Sequence, residues 1–257
     1  MRHSDLCVLS GHCSIKDGAD CNNVCPAYIG VHGHNGEGGR LGSAHLPAGY
    51  RGITLANSPA RTGQPEIYVN LERYVATFTR QFTKDKPIKS VYLYSFEPGT
   101  GKTTTAAALI TEWIIAAFIG GLQRGLTIPE RPAYFLDVNE WQTDFNAFNR
   151  PRVPESIAEP AAARFYRKQQ AAATAGFAVL DDIGVRDASD AFRSELHTVI
   201  NARVSGGLPT VYTSNVPMSD LATVFDRRLA DRVRDLCEEF TYVGKSFRRS
   251  TRQVSQN

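Results

Sequence analysis

Apolar residues change their spacing several times along this chain, and each change marks an element. From Gln64 to Phe82, Leu71, Val75, Phe78 and Phe82 recur at helical spacing and predict an amphipathic helix. SVYLYS (90–95) then reads as a short strand. TTTAAALITEWIIAAFI (103–119) is long, alanine-rich and free of Gly and Pro, as a buried helix should be. AYFLDV (133–138) and GFAVLDD (176–182) are short apolar runs typical of strands buried on both faces of a parallel sheet. The polar, proline-punctuated stretch 149–175 between them is expected to be helical in its second half. Phe192, Leu196, Val199 and Ile200 define a further helix face, followed by the strand TVYTS (210–214). DRRLADRVRDLC (226–237) reads as a last helix with Leu229, Val233 and Leu236 inward, before a final strand EFTYV (239–243). Strands alternating with helices imply an α/β fold, with a five-stranded parallel sheet flanked by helices on both faces.

At 257 residues, with 42% hydrophobic and 21% charged, the chain has the makings of one sizeable core and a small appended module. No stretch approaches 18 uninterrupted apolar residues, and MRHSDLCVLSGHC lacks the apolar core of a signal peptide, so the expectation is a cytoplasmic protein without a membrane partner. The formal net charge of +3 is unevenly spread. Residues 227–252 carry eight Lys/Arg and four Asp/Glu, a local +4 that leaves −1 for the remainder.

Four of the five cysteines, Cys7, Cys13, Cys21 and Cys25, fall within nineteen residues, with five, seven and three residues between them. In a cytosolic chain such a cluster reads as a metal site before it reads as disulfides, and four thiolates suffice for a closed tetrahedral zinc site. His3, His12, His32 or His34 can replace or join them. The glycine-dense stretch GVHGHNGEGGRLGSAHLPAG (30–49) suits a linker or irregular loop, and the expected division is a Cys-rich module at 1–46 and the main domain at 47–257. Cys237, beside a predicted strand, reads as a small buried hydrophobe.

The chemistry concentrates in YSFEPGTGKTT (94–104). A phosphate-binding loop, G-x-x-x-x-G-K-[ST], ends a strand, turns backbone N–H groups onto phosphate and opens a helix. Here Phe96 stands where the first glycine belongs, while Pro98, Gly99, Thr100, Gly101, Lys102, Thr103 and Thr104 complete the pattern. Lys102 is expected to reach the β/γ oxygens of ATP, Thr103 to offer its hydroxyl to Mg²⁺, and Phe96 to pack at the loop's shoulder. LDDIG supplies acids at a strand end: Asp181 for the Mg²⁺ water shell and Asp182 to polarise the attacking water. Asn215, after TVYTS, is a candidate for orienting that water or the γ-phosphate.

PGTGKT, LDDIG, TSN and DRRLADRVRD, in this order, resemble an AAA+ ATPase of the DnaC/DnaI replicative helicase-loader type, phage-like in layout and related to the IstB transposition helpers. The resemblance covers roughly residues 50–250 and is most specific at LDDIG and PTVYTSN. It implies ATP hydrolysis that depends on self-association through the ATP sites. Arg232 would reach a neighbouring subunit's site, with Arg228 as runner-up, and Arg248 would act as a nucleotide sensor. The partners it implies are a hexameric DnaB-family helicase and single-stranded DNA, with the Cys-rich segment similar in placement to the zinc module of DnaI-type loaders. Arg150, Arg152, Arg164, Arg167, Lys168, Arg186 and Arg193 are the candidate DNA contacts, and Tyr166 is a candidate stacking residue. The departures are Phe96 and Asp182, an aspartate where many AAA+ proteins have glutamate. Two rival readings are an IstB-like DNA-binding helper of transposition and an ATP-switched interaction module that does not hydrolyse.

Overall fold

The computed structural model describes residues 2–83, 86–184, 188–244 and Ser246. Its centre is a parallel sheet of β1 (Ser90–Tyr94), β2 (Ala133–Asp137), β3 (Phe177–Asp181), β4 (Thr210–Ser214) and β5 (Cys237–Thr241), in the spatial order β2-β3-β4-β1-β5. From β1 the chain crosses to the far edge at β2 and returns inward through β3 and β4. Because all strands run the same way, the turns after β1, β3 and β4 open at one end of the sheet. That carboxyl end is where open α/β sheets hold their ligands.

The helices are α1 (His3–Leu6), α2 (Pro26–His32), α3 (Gly39–Ser43), α4 (Pro65–Ala76), α5 (Lys102–Gln123), α6 (Val138–Asn149), α7 (Glu155–Thr174), α8 (Asp190–Ser205) and α9 (Arg227–Leu236). The pleat of the strands sorts the core into two layers. Val91, Leu93, Val179 and Val211 face α5 and the N-terminal segment, in a cluster that includes Leu9, Val31, Leu46, Tyr68 and Phe78. Tyr92, Leu180 and Tyr212 face the other way, onto Trp141, Phe165, Phe192, Leu229 and Val233 of α6, α7, α8 and α9. β5 is an edge strand with Glu238 and Glu239 exposed, which discourages a further strand from pairing there.

The alternation expected from the sequence is met, with some differences. α6 follows β2 directly, because Asp137 ends the strand and caps the helix by accepting from the backbone N–H of Asn139 (2.9 Å) and Glu140 (3.0 Å). Leu236, expected inward, is 44% exposed at the end of α9, where the strand begins. α5 is the one described helix long and apolar enough to cross a membrane, and 78% of its most apolar window is buried inside the fold.

The glycine-dense stretch is not slack. It contains α3, and Arg40 on that helix donates to the carbonyls of Gly30 (2.7 Å), Ile128 (3.0 Å) and Pro129 (3.0 Å). Phe135 N–H on β2 donates to Ala44 O at 2.8 Å, which ties the segment to the sheet's edge. Gly39 has φ +59°, and a Cβ there would lie 2.6 Å from the Val31 carbonyl. Close packing, not flexibility, is what requires the glycine.

Candidate nucleotide site

β1 delivers the chain to Ser95, whose N–H donates to Ser214 O at 3.3 Å on the neighbouring strand. The loop turns through Phe96, Glu97 and Pro98, all exposed, then Gly99 (φ +79°) and buried Thr100, whose hydroxyl donates to Glu97 O at 3.5 Å. Gly101 sits at φ +102° as the residue that caps α5. A Cβ on Gly101 would lie 2.5 Å from the Cβ of Ala60, so neither the backbone angle nor the space admits a side chain. Beneath the loop runs a buried hydroxyl chain with a forced direction. Gly101 O can only accept, so Thr105 Oγ1 donates to it (2.9 Å), Tyr68 donates to Thr105 (2.9 Å), and Ser58 donates to Tyr68 (2.6 Å). Sequence reading missed this support, since nothing local in residues 58–68 points to a loop forty residues away.

Lys102, 6% exposed, donates from Nζ to Asn215 Oδ1 at 2.7 Å and to the carbonyls of Ser95 and Glu97 at 3.4 Å each. Thr103 and Thr104, half-buried, follow on the first turn of α5. Thr103 Oγ1 donates to Asp181 Oδ2 at 3.1 Å, reaching from β1's loop past β4 to the end of β3. Thr213 Oγ1 donates to the other oxygen, Asp181 Oδ1, at 2.7 Å and accepts from Asp182 N–H at 2.8 Å. Thr213 thus fixes both acids, a role that the TSN pattern can signal only as a polar strand end. Asp182, half-buried, is held at φ +62°, and Asn139 Nδ2 donates to its Oδ2 at 3.5 Å. Left-handed backbone at a residue other than glycine is the kind of strain that functional sites store.

Asp181 is 4% exposed and its carboxyl is pushed up to about 7. Burial is the main cause and the neighbouring Asp182 carboxylate adds to it, while the Thr213 and Thr103 hydroxyls pull the other way. A desolvated carboxylate beside another acid, with only a neutral threonine hydroxyl on each oxygen, is a site short of positive charge. These donors fit Mg²⁺, a hard cation that takes oxygen ligands.

Lys102, Thr103, Asp181, Asp182 and Asn215 are therefore brought together at the carboxyl ends of β1, β3 and β4. Arg232 is not among them. It donates from Nη1 to Asn201 Oδ1 (2.7 Å) and from Nη2 to Ser205 Oγ (3.4 Å), so it lies along α8 of its own chain, and Arg228 is exposed nearby. Arg248 and Arg186 lie outside the described residues. Phe96 does not pack at the shoulder as expected: it is 78% exposed, because the chain leaves the sheet at Ser95 and turns outward before Gly99.

Cys7, Cys13, Cys21 and Cys25 are half-buried free thiols, and the Cys7 thiol is raised mainly by burial, opposed by a backbone hydrogen bond from Leu9 and reinforced by the other three cysteines. They are near enough to interact, yet among the described residues no three His, Cys, Asp or Glu side chains are gathered as a ligand set. Cys7 closes α1 and Cys25 caps α2, while Cys13 and Cys21 lie between them. Cys237 has its thiol pushed up by burial on β5, as a small apolar residue would.

Solved structures show the same fold. A candidate primosome component from Streptococcus pyogenes serotype M3 is 24% identical, with a TM-score of 0.50 over 79% of this chain and 92% of that one. A DnaI structure is 20% identical, with a TM-score of 0.53 over 79% and 94%. A DnaC helicase-loader structure is 17% identical, with a TM-score of 0.53 over 77% and 100%. At these identities the likeness is one of fold. No protein-family model matches the chain, and no curated protein matches it in sequence.

Proposed function

We propose that this protein is an ATPase that loads a hexameric replicative helicase of the DnaB family onto single-stranded DNA in the cytoplasm of a bacterial cell. The observation that supports the reading most is the convergence of Lys102, Asn215, Thr103 and Asp181 at the helix end that follows β1. The N-terminus of α5 and the N–H groups of 99–103 bind phosphate, and Lys102 leaves Asn215 to meet the β/γ oxygens. Thr103 and Asp181 would hold Mg²⁺, which neutralises the transferring phosphoryl group when bound. Asp182, raised on a left-handed backbone, takes the proton of the attacking water, and Asn215 orients that water. Arg232 is proposed to act in trans, leaving Asn201 on self-association. Zinc has no part in this proposal, because among the described residues no three His, Cys, Asp or Glu side chains gather as a ligand set.

The helicase arm is tested by size-exclusion chromatography of the full chain with the replicative helicase, with and without ATP. Co-elution that requires ATP supports the reading. Separate elution under both conditions overturns it.

A further inference from the structure

Between α6, α8 and the turns that follow β3 and β4 lies a cavity of about 290 Å³. It opens in the layer opposite α5, and none of residues 95–104 lines it, so it is separate from the glycine turn of the nucleotide site. Phe192 and Leu196 of α8, with Val216 and Val224 beyond β4, give it apolar walls. The turn after β3 approaches these walls so closely that only glycine fits: Gly184 has φ +78°, and a Cβ there would lie 2.7 Å from a Val224 methyl.

Two charges of opposite sign face this space. Asp182, half-buried, enters from the end of β3, with its Oδ2 accepting from Asn139 Nδ2 at 3.5 Å. Arg193, exposed, enters from α8 and forms no ion pair among the described residues. The acid and the base therefore line one cavity without meeting each other, and their attraction is left unused.

We infer that this cavity binds a free apolar α-amino acid, with its ammonium on Asp182, its carboxylate on Arg193 and its side chain against Phe192, Leu196, Val216 and Val224. A guanidinium fork matches a carboxylate, and a carboxylate accepts from an ammonium, so one zwitterion answers both charges. An apolar amine would leave Arg193 unmet, and an apolar acid would leave Asp182 unmet. The volume lies at the small end of ligand pockets, which suits a single amino acid better than a peptide. An ammonium seated on Asp182 also engages the group proposed to take the proton of the attacking water. This consequence for hydrolysis rests on the proposed ATPase reading, whereas the binding itself does not.

The test is a ligand-observed NMR titration of the full chain, without nucleotide, using leucine, leucinol, which keeps only the ammonium, and isocaproate, which keeps only the carboxylate. The parent should bind leucine at least about tenfold more tightly than either analogue, because each analogue forgoes one charge-assisted bond. Arg193→Gln should weaken leucine by a similar factor and leave leucinol unchanged. Asp182→Asn should weaken leucine and leave isocaproate unchanged. A substitution that merely disturbed the fold would weaken all three ligands alike. No leucine binding by the parent at millimolar concentration, an analogue that binds as tightly as leucine, or parental leucine binding by Arg193→Gln would each overturn the inference. Bound leucine should also slow ATP turnover at unchanged nucleotide affinity. Leucine binding with undiminished turnover would overturn the role of Asp182 in the ATPase reading and leave the cavity's ligand standing.

Discussion

Lys102 Nζ donates to Asn215 Oδ1 across 2.7 Å, joining the helix after β1 to the turn after β4. In the proposed site, the amide oxygen of Asn215 holds the ammonium that a phosphate oxygen would take over. The lysine is thereby kept aimed at the site, and a neutral partner releases it more readily than a carboxylate would.

Asn215→Asp should weaken ATP binding on the order of tenfold, because a charge-assisted bond of about twice the strength then competes for Lys102. Asn215→Ala should leave affinity within a few-fold of the parent and lower turnover. Titration with a fluorescent ATP analogue, alongside steady-state hydrolysis, separates the two effects. Equal affinities for the Asp and Ala variants would show that the Lys102 contact does not compete with nucleotide.

Asp181 makes stability depend on pH in an unusual direction. Its carboxyl titrates near 7 in the fold against 3.8 for an ordinary aspartate. Below pH 4 the group is protonated in both states and costs nothing. Between 4 and 7 the unfolded chain releases the proton while the fold retains it, so stability falls as pH rises, and above 7 the whole penalty is present. Asp181→Asn should raise stability at pH 8 by roughly 2–4 kcal/mol, with little change at pH 4, and should abolish Mg²⁺-dependent hydrolysis. Denaturant unfolding at the two pH values measures the first effect. A variant less stable than the parent at pH 8 would contradict the burial argument.

The same titration bears on the proposed Mg²⁺ site. Mg²⁺ competes with the Asp181 proton, so Mg²⁺-dependent ATP affinity should fall as pH drops from 8 to 6. It should be nearly flat over that range in Asp181→Asn. A parent protein whose Mg²⁺ dependence does not change with pH would place the metal elsewhere.

The loop itself offers paired substitutions. Gly101→Ala should weaken nucleotide binding at least tenfold, because the alanine Cβ meets Ala60 at 2.5 Å and φ is +102°. Phe96→Gly should leave affinity largely intact, since Phe96 is 78% exposed and touches no core. A large gain in affinity for Phe96→Gly would show that the natural loop is impaired at its first position.

The strands and the glycine turn between β1 and α5 were legible because their signals are local: a run of apolar residues, a glycine pair, an acid at a strand end. Support from a distance was not. Nothing near Ser58 and Tyr68 reveals that their hydroxyls end on Gly101. The start of α6 was hidden because Asp137 serves both strand and cap, leaving no turn residues to read. Glycine density at 30–49 has opposite physical meanings, slack chain or close packing, and only the contacts of Arg40 and Gly39 decide for packing. Cysteine spacing likewise tells how near thiols are along the chain, not whether the turns between them direct four sulfurs to one point. The outward turn of Phe96 follows from where the backbone leaves the sheet, which a residue pattern does not encode.

Every prediction at this site rests on Lys102 and its neighbours forming a working ATP site. Isothermal titration of Mg²⁺-ATP into the parent and into Lys102→Ala tests it most directly. The expected result is saturable binding by the parent at one site per chain and none by the variant; equal binding by both would contradict the proposed ATP site.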